Sequence, residues 1–421
     1  MTEMFFVSGL CATLLIFNQI YIGTNFSIIW LLIILAPLFS HKFKIYRRFT
    51  GLQLLLLLFL LKFIIALNGA AVIRYLTYIA FFGIGTASMR RNHFDEFFKG
   101  FHWGLGINFV FACVQVIGRL TKSYTATLPV EIWNPVLWHA ILDDGMLSFY
   151  PRVSGFTLEP AYLGTLLIIA AGYRMFIQHR PVFSGLYGLY LSFSIVLLVN
   201  SRTTFFAYGW LVVCKLLTKL KGGVITNAAV SIIYISSFIL IPLTIILRTD
   251  TADLKVVADD DISVFARIVP LTWIRDGNGL SFGNYIFGVG DYRAYAETVS
   301  MPSVIYALFS YQGGLLDSKS LGGAYFFDFG LIGLVLFMLS VAMACRWNRF
   351  GLLYASLINI AFFNVYAFSW PLFWLALMAC GLTGGSIVHG SAATKSRRRS
   401  DHVNKIEPLP LTGTMKCSTS R

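Results

Sequence analysis

Charge is what this sequence has least of. Asp, Glu, Lys and Arg make up 12% of its 421 residues, against 57% apolar and 16% aromatic, with a mean hydropathy of +0.73. Soluble domains run near roughly a quarter charged, so the composition points away from them and towards a polytopic membrane protein. Cysteine is scarce too. Cys11, Cys113, Cys214, Cys345 and Cys380 fall in or beside apolar runs and Cys417 near the C-terminus, which leaves no disulfide framework and no metal-ligand spacing. Walker and Rossmann glycine patterns, an HExxH and internal repeats are all missing, so no nucleotide-hydrolysing route, cofactor or metal is predicted. The opening Met1-Thr2-Glu3-Met4 has no basic flank, and the first apolar run is expected to be a retained helix rather than a signal peptide.

What the sequence has is apolar runs. They lie near 4–22, 25–40, 50–67, 70–88, 99–118, 156–175, 181–199, 204–220, 224–247, 322–345, 350–367 and 370–390. A helix crosses a bilayer core with roughly 20 apolar residues, so the fold class expected is all-α, with about twelve transmembrane helices. Five helices fill 1–118, a first loop spans 119–155, four helices follow in 156–247, a large loop covers 248–321, and three helices occupy 322–390. The remainder, 391–421, reads as a disordered basic tail in which Lys395 and Arg397 to Arg399 meet anionic lipid headgroups.

Charge sets the expected orientation. With the N-terminus in the cytoplasm, the inward segments hold 21 of the 33 Lys and Arg and five acids, and the outward ones hold ten Lys and Arg and fourteen acids. That is the positive-inside pattern, with both termini cytoplasmic and the loops 119–155 and 248–321 on the outer face. The net charge of +14 therefore comes from the cytoplasmic rims and the tail, and predicts no nucleic-acid partner. The partner it implies is the lipid bilayer.

Chemistry is expected where polar residues gather on the outer face. Arg152-Val153-Ser154-Gly155-Phe156-Thr157-Leu158-Glu159-Pro160 opens the sixth run, and Glu159 there is a carboxylate in an apolar setting. Such a residue either faces a water-filled site or pairs with an Arg to lock two helices. Asn200-Ser201-Arg202-Thr203 places a guanidinium at the start of the eighth run, where free N–H groups and the helix dipole suit a phosphate; the plain alternative is a turn with a snorkelling Arg. Ser263 to Ile268, with Trp273, Arg275 and Asp276, has the spacing of a short interfacial helix, from which Arg267 would reach the same anion. Phe287-Gly288-Val289-Gly290-Asp291-Tyr292-Arg293 leads through Asp317-Ser318-Lys319-Ser320 to Phe329-Gly330-Leu331-Ile332-Gly333. Outward Tyr and Trp residues, Tyr292 among them, fit either an interfacial belt or a surface on which sugar rings pack.

At these residues the chain resembles the bacterial O-antigen polymerase and ligase superfamily, the Wzy-type polysaccharide polymerases. The resemblance rests on Gly155-Phe156 with Glu159-Pro160, on Ser201-Arg202, on Ala266-Arg267, and on Gly288-Val289-Gly290 with Phe329-Gly330-Leu331-Ile332-Gly333. Phe156 to Pro160 looks most like polymerases of exopolysaccharides of the colanic-acid or xanthan sort. The family implies an enzyme of the bacterial inner membrane, acting without metal or cofactor on an undecaprenyl-pyrophosphate-linked oligosaccharide at the periplasmic face. It also implies a chain-length regulator and a flippase as partners. By the resemblance Arg202 and Arg267 grip the pyrophosphate, which a leaving group gathering charge requires. Arg152, Tyr292 and Arg293 complete the substrate-binding candidates, and Glu159, Asp317 and Lys319 the catalytic ones. Glu159 ranks first as general base because it stands in an apolar run.

One departure separates the branches of the family. Ligases carry a catalytic His at a fixed spacing ahead of Gly-x-x-Gly, and here that slot holds Lys319-Ser320. The expectation is therefore a polymerase, with ligase-type transfer to another acceptor as the first alternative. A lipid-linked oligosaccharide flippase is the second; it is disfavoured because the charges cluster at one face rather than at the bilayer midplane.

Overall fold

A computed structural model of the chain describes residues 2–14, 91–121, 155–157, 160–239, 281–289, 325–363 and 371–384, with isolated positions at 153 and between 51 and 80. These residues are helical, and no strand occurs among them. The helices are α1 (Thr2–Ala12), α2 (Arg91–Leu120), α3 (Pro160–Gly172), α4 (Gly185–Phe193), α5 (Arg202–Lys219), α6 (Val224–Phe238), α7 (Phe282–Phe287), α8 (Gly330–Ala344), α9 (Arg349–Ala361) and α10 (Pro371–Cys380). Three π-helical stretches extend them: Tyr173–Ile177 after α3, Ser194–Val199 after α4, and Tyr325–Phe329 before α8. By length and composition Arg91–Gly118 and Pro160–Ile177 can cross a membrane, while the other apolar helices are shorter, such as Gly185–Val199 and Gly330–Ala344.

Two helices form the centre, and small residues explain why they fit there. Every residue of α9 from Gly351 to Ala361 is buried, and so is every residue of α3 from Leu163 to Gly172. The two run antiparallel. Thr165 Oγ1 donates to the Ala361 carbonyl at 2.8 Å, and the Tyr354 hydroxyl donates to Ile169 at 3.4 Å. Gly172 leaves the space that the Tyr354 ring fills. Around this pair, Trp210 Nε1 of α5 donates to Ser356 Oγ at 2.7 Å, the Tyr234 hydroxyl of α6 donates to Met338 at 2.7 Å, and Asn359 donates to the Ser237 carbonyl. An apolar interior makes each such polar contact specific, because few other partners are within reach.

The α1–α2 pair depends on glycine for its close approach. Gly9 abuts the Phe97 carbonyl and Gly100 abuts the Phe6 carbonyl, so the backbones touch, as small residues allow in helix pairs. Phe5 stacks on His93 at 4.5 Å, while Asn108 reaches the Thr13 carbonyl at 2.9 Å. The two helices therefore run parallel.

The bundle has a basic end. Arg91 donates to the Ile177 carbonyl at 3.0 Å and lies 3.8 Å from Asp95, which also accepts the Tyr173 hydroxyl at 2.9 Å. Arg349 donates to the Leu220 carbonyl at 3.2 Å, and the His179 ring meets Phe350 edge-on at 5.2 Å. Cations at helix C-termini satisfy carbonyls that the helix leaves unpaired. The turn from α8 to α9 is strained: Arg346 and Trp347 both take left-handed backbone, at φ 52° and 53°, before Asn348 caps α9 by accepting the Phe350 N–H at 2.9 Å. Segments far apart in sequence, near 91, 178, 220 and 347, thus meet at this end.

Candidate functional site

The opposite end is built first by two amides. Asn108 and Gln115 lie two turns apart on one face of α2, and both are buried. Gln115 accepts the Gly155 N–H at 2.8 Å and returns a bond to its carbonyl at 3.2 Å, while Asn108 accepts the Phe156 N–H at 2.8 Å. Gly155 takes φ +60°, and a Cβ there would fall 2.8 Å from Asn108 Oδ1. Side-chain amides thus replace the helical bonds that Gly155 and Phe156 lack. The sixth apolar run, expected to be helical from 156, begins its helix only at Pro160. Proline at the first position explains the boundary, since its φ is preset and its missing N–H is not needed there.

This turn then docks on the π-helical stretch that follows α4. Val153 donates to the Leu198 carbonyl at 3.0 Å, within a small buried group of Ala112, Val153 and Leu198. Two residues on, Asn200 ends the π-helical stretch in left-handed backbone, φ 41°, with its N–H on the Ile195 carbonyl at 3.1 Å. Asn tolerates that conformation better than most side chains. Ser201 is extended, and α5 starts at Arg202.

The start of α5 has the features of an anion site. The Ser201 hydroxyl lies 3.0 Å from Thr203 Oγ1 and makes no capping bond, which leaves first-turn N–H groups to an outside partner. Arg202 is exposed and forms no ion pair among the described residues. Thr204 is buried, its hydroxyl has no hydrogen-bond partner among the described residues, and it fits only because Gly164 of α3 has no side chain to meet it. This contact packs the first turn of α5 against α3 at Gly164.

Two further patterns from the sequence also meet. Ser281 caps α7 by accepting the Asn284 N–H at 3.2 Å, and the helix ends at Gly288, φ 76°. Gly330, φ +64°, opens α8 directly against the backbone of Ile286 to Gly288. Because α8 runs from there to Cys345 and the Arg346–Trp347 turn, Gly330 lies away from the basic end, as do Pro160 and Arg202.

Of the residues expected at the site, only Arg202 is among those described. Arg152, Glu159, Arg267, Tyr292, Arg293, Asp317 and Lys319 lie outside them. Asn108, Gln115, Gly164 and Thr204 shape the site and were not expected. Two amides one heptad apart in an apolar run were the available signal. Among the described residues no group of three or more His, Cys, Asp or Glu converges on one point. No protein-family model matches the chain, and no curated protein or solved structure matches it either.

Proposed function

We propose that this chain is a polytopic inner-membrane glycosyltransferase that polymerises undecaprenyl-pyrophosphate-linked repeat units into a surface or secreted polysaccharide. The observation that carries the reading is Arg202, exposed at the uncapped start of α5, whose first turn packs on α3 through Thr204 and Gly164. Free N–H groups, the positive helix end and a guanidinium together suit a diphosphate leaving group. In this reading Arg202 and Arg267 hold the diphosphate while Glu159 or Asp317 takes the proton of the acceptor hydroxyl. The reading assigns Arg152, Tyr292 and Arg293 to substrate binding and counts Lys319 with the catalytic candidates.

The outer faces of the helices support a membrane setting, in which the reading places about twelve spans and both termini in the cytoplasm. Trp103, Ile107, Val110, Val114 and Ile117 form an exposed apolar stripe at helical spacing along α2, and Leu331, Val335, Leu339 and Met343 form another on α8. A soluble protein rarely exposes such stripes. Arg91, Lys219, Lys221, Arg346 and Arg349 gather at one end of the bundle while Arg202 starts a helix at the other, a distribution that supports a positive-inside orientation.

The test uses the purified full chain in detergent with one lipid-linked repeat unit and no nucleotide. The expected product is a ladder rising by whole repeat units, with undecaprenyl pyrophosphate released. A single transfer, appearing only when a foreign acceptor is supplied, would replace polymerase by ligase.

A further inference from the structure

We infer that the basic end of the bundle, centred on the Arg346–Trp347 turn, binds the headgroups of anionic phospholipids. The inference rests on the membrane-embedded reading above but not on the polymerase assignment.

Among the described residues, positive charge gathers there in excess. The described residues of this end include nine Lys and Arg but only three carboxylates, Glu3, Asp95 and Glu96. Two of the three are already engaged: Asp95 lies 3.8 Å from Arg91 and Glu96 lies 3.6 Å from Lys99. Arg180, Lys219, Lys221, Arg346 and Arg349 make no ion pair among the described residues. Packing brings most of these like charges together. The bond from Arg349 to the Leu220 carbonyl brings it to the segment that carries Lys219 and Lys221, and the contact of the His179 ring with Phe350 brings the segment of Arg180 to the same edge. Arg346 stands three residues before Arg349, on the strained turn. Mutual repulsion of this kind is relieved by a bound anion.

The same edge is apolar immediately beneath the cations, and this identifies the anion's carrier. Trp347 is 58% exposed, Leu216 56%, Leu220 49% and Met343 43%. An acidic peptide would leave those surfaces in water. A phospholipid covers both parts at once, its headgroup on the cations and its chains on the apolar rim, with Trp347 at the depth where aromatic side chains settle.

The test reads quenching of Trp347 in the full chain, reconstituted in zwitterionic bilayers doped with either brominated phosphatidylglycerol or brominated phosphatidylcholine. The Trp347 component is the difference between the wild type and Trp347→Phe. It should be quenched about twofold more by the anionic lipid at equal mole fraction, and the preference should fade in high salt. Arg346→Gln with Lys219→Gln should remove the preference while leaving quenching by the zwitterionic lipid unchanged. Equal quenching of the wild type by the two lipids would overturn the inference alone. Quenching by neither would overturn the membrane reading beneath it. A preference abolished by an equimolar soluble acidic peptide would assign the surface to a protein partner and overturn the lipid assignment.

Discussion

Gly330 rests on the end of α7 with no room for a side chain: a Cβ built on it would fall 2.6 Å from the Ile286 carbonyl and collide with the Gly288 amide. Its φ of +64° is a second reason for glycine at this position. Gly330→Ala should therefore lower stability by about 1–3 kcal/mol and shorten or abolish polymer. A thermal-shift assay in detergent, read beside the ladder assay, checks both. Wild-type stability in Gly330→Ala would mean that the two glycine patterns do not touch.

Arg202 sits differently. It is exposed at a helix start, outside the packed interior, so its removal should leave the fold almost untouched, within about 0.5 kcal/mol. Arg202→Ala should nonetheless abolish polymer, and Arg202→Lys should retain a small fraction, because an ammonium replaces the charge but not the fork. Long polymer from Arg202→Ala would refute the diphosphate role. A variant that failed to accumulate in the membrane would assign Arg202 to folding instead.

Asn108 and Gln115 carry the turn that precedes α3. Asn108→Leu leaves the Phe156 N–H without its partner, and Gln115→Leu orphans both polar groups of Gly155. Each should cost about 1–3 kcal/mol by that desolvation. Both should also lower polymer yield, since the turn sets the angle at which α3 begins. Loss of stability from neither variant would show that the amides are spectators.

The helical class, the apolar runs and the meeting of basic segments at one end were legible in the sequence, because burial and charge placement act residue by residue. The helix start at Arg202 was legible as well, since it follows from the apolar run that begins just after it. The amide latch was not. Nothing near Gly155 in the chain indicates that its peptide groups bond to side chains forty residues earlier. The pairing of Gly164 with Thr204 was hidden for a similar reason: a glycine within an apolar run reads as a weak helix position until the neighbouring helix is known. The helix start at Pro160 was missed because apolarity continues back through Phe156, while the backbone departs from helix at Gly155.

The contact between Gly164 and Thr204 makes the last prediction, and it bears on the site most directly. Gly164→Ala drives a Cβ into the Thr204 side chain and should cost about 1–3 kcal/mol, as overpacking does. Thr204→Ala removes a hydroxyl that has no partner among the described residues, so its cost should be smaller, below about 1 kcal/mol. In the double variant the shorter side chain at 204 gives the new methyl room. The pair should then be more stable than the sum of the single variants predicts, with a coupling of about 1 kcal/mol or more. Thermal or chemical denaturation of the four proteins in detergent measures this directly. Additive effects would mean that the starts of α3 and α5 are not in contact. The first turn of α5 would then lack the packing that holds Arg202 in place, and the anion site proposed there would lose its support.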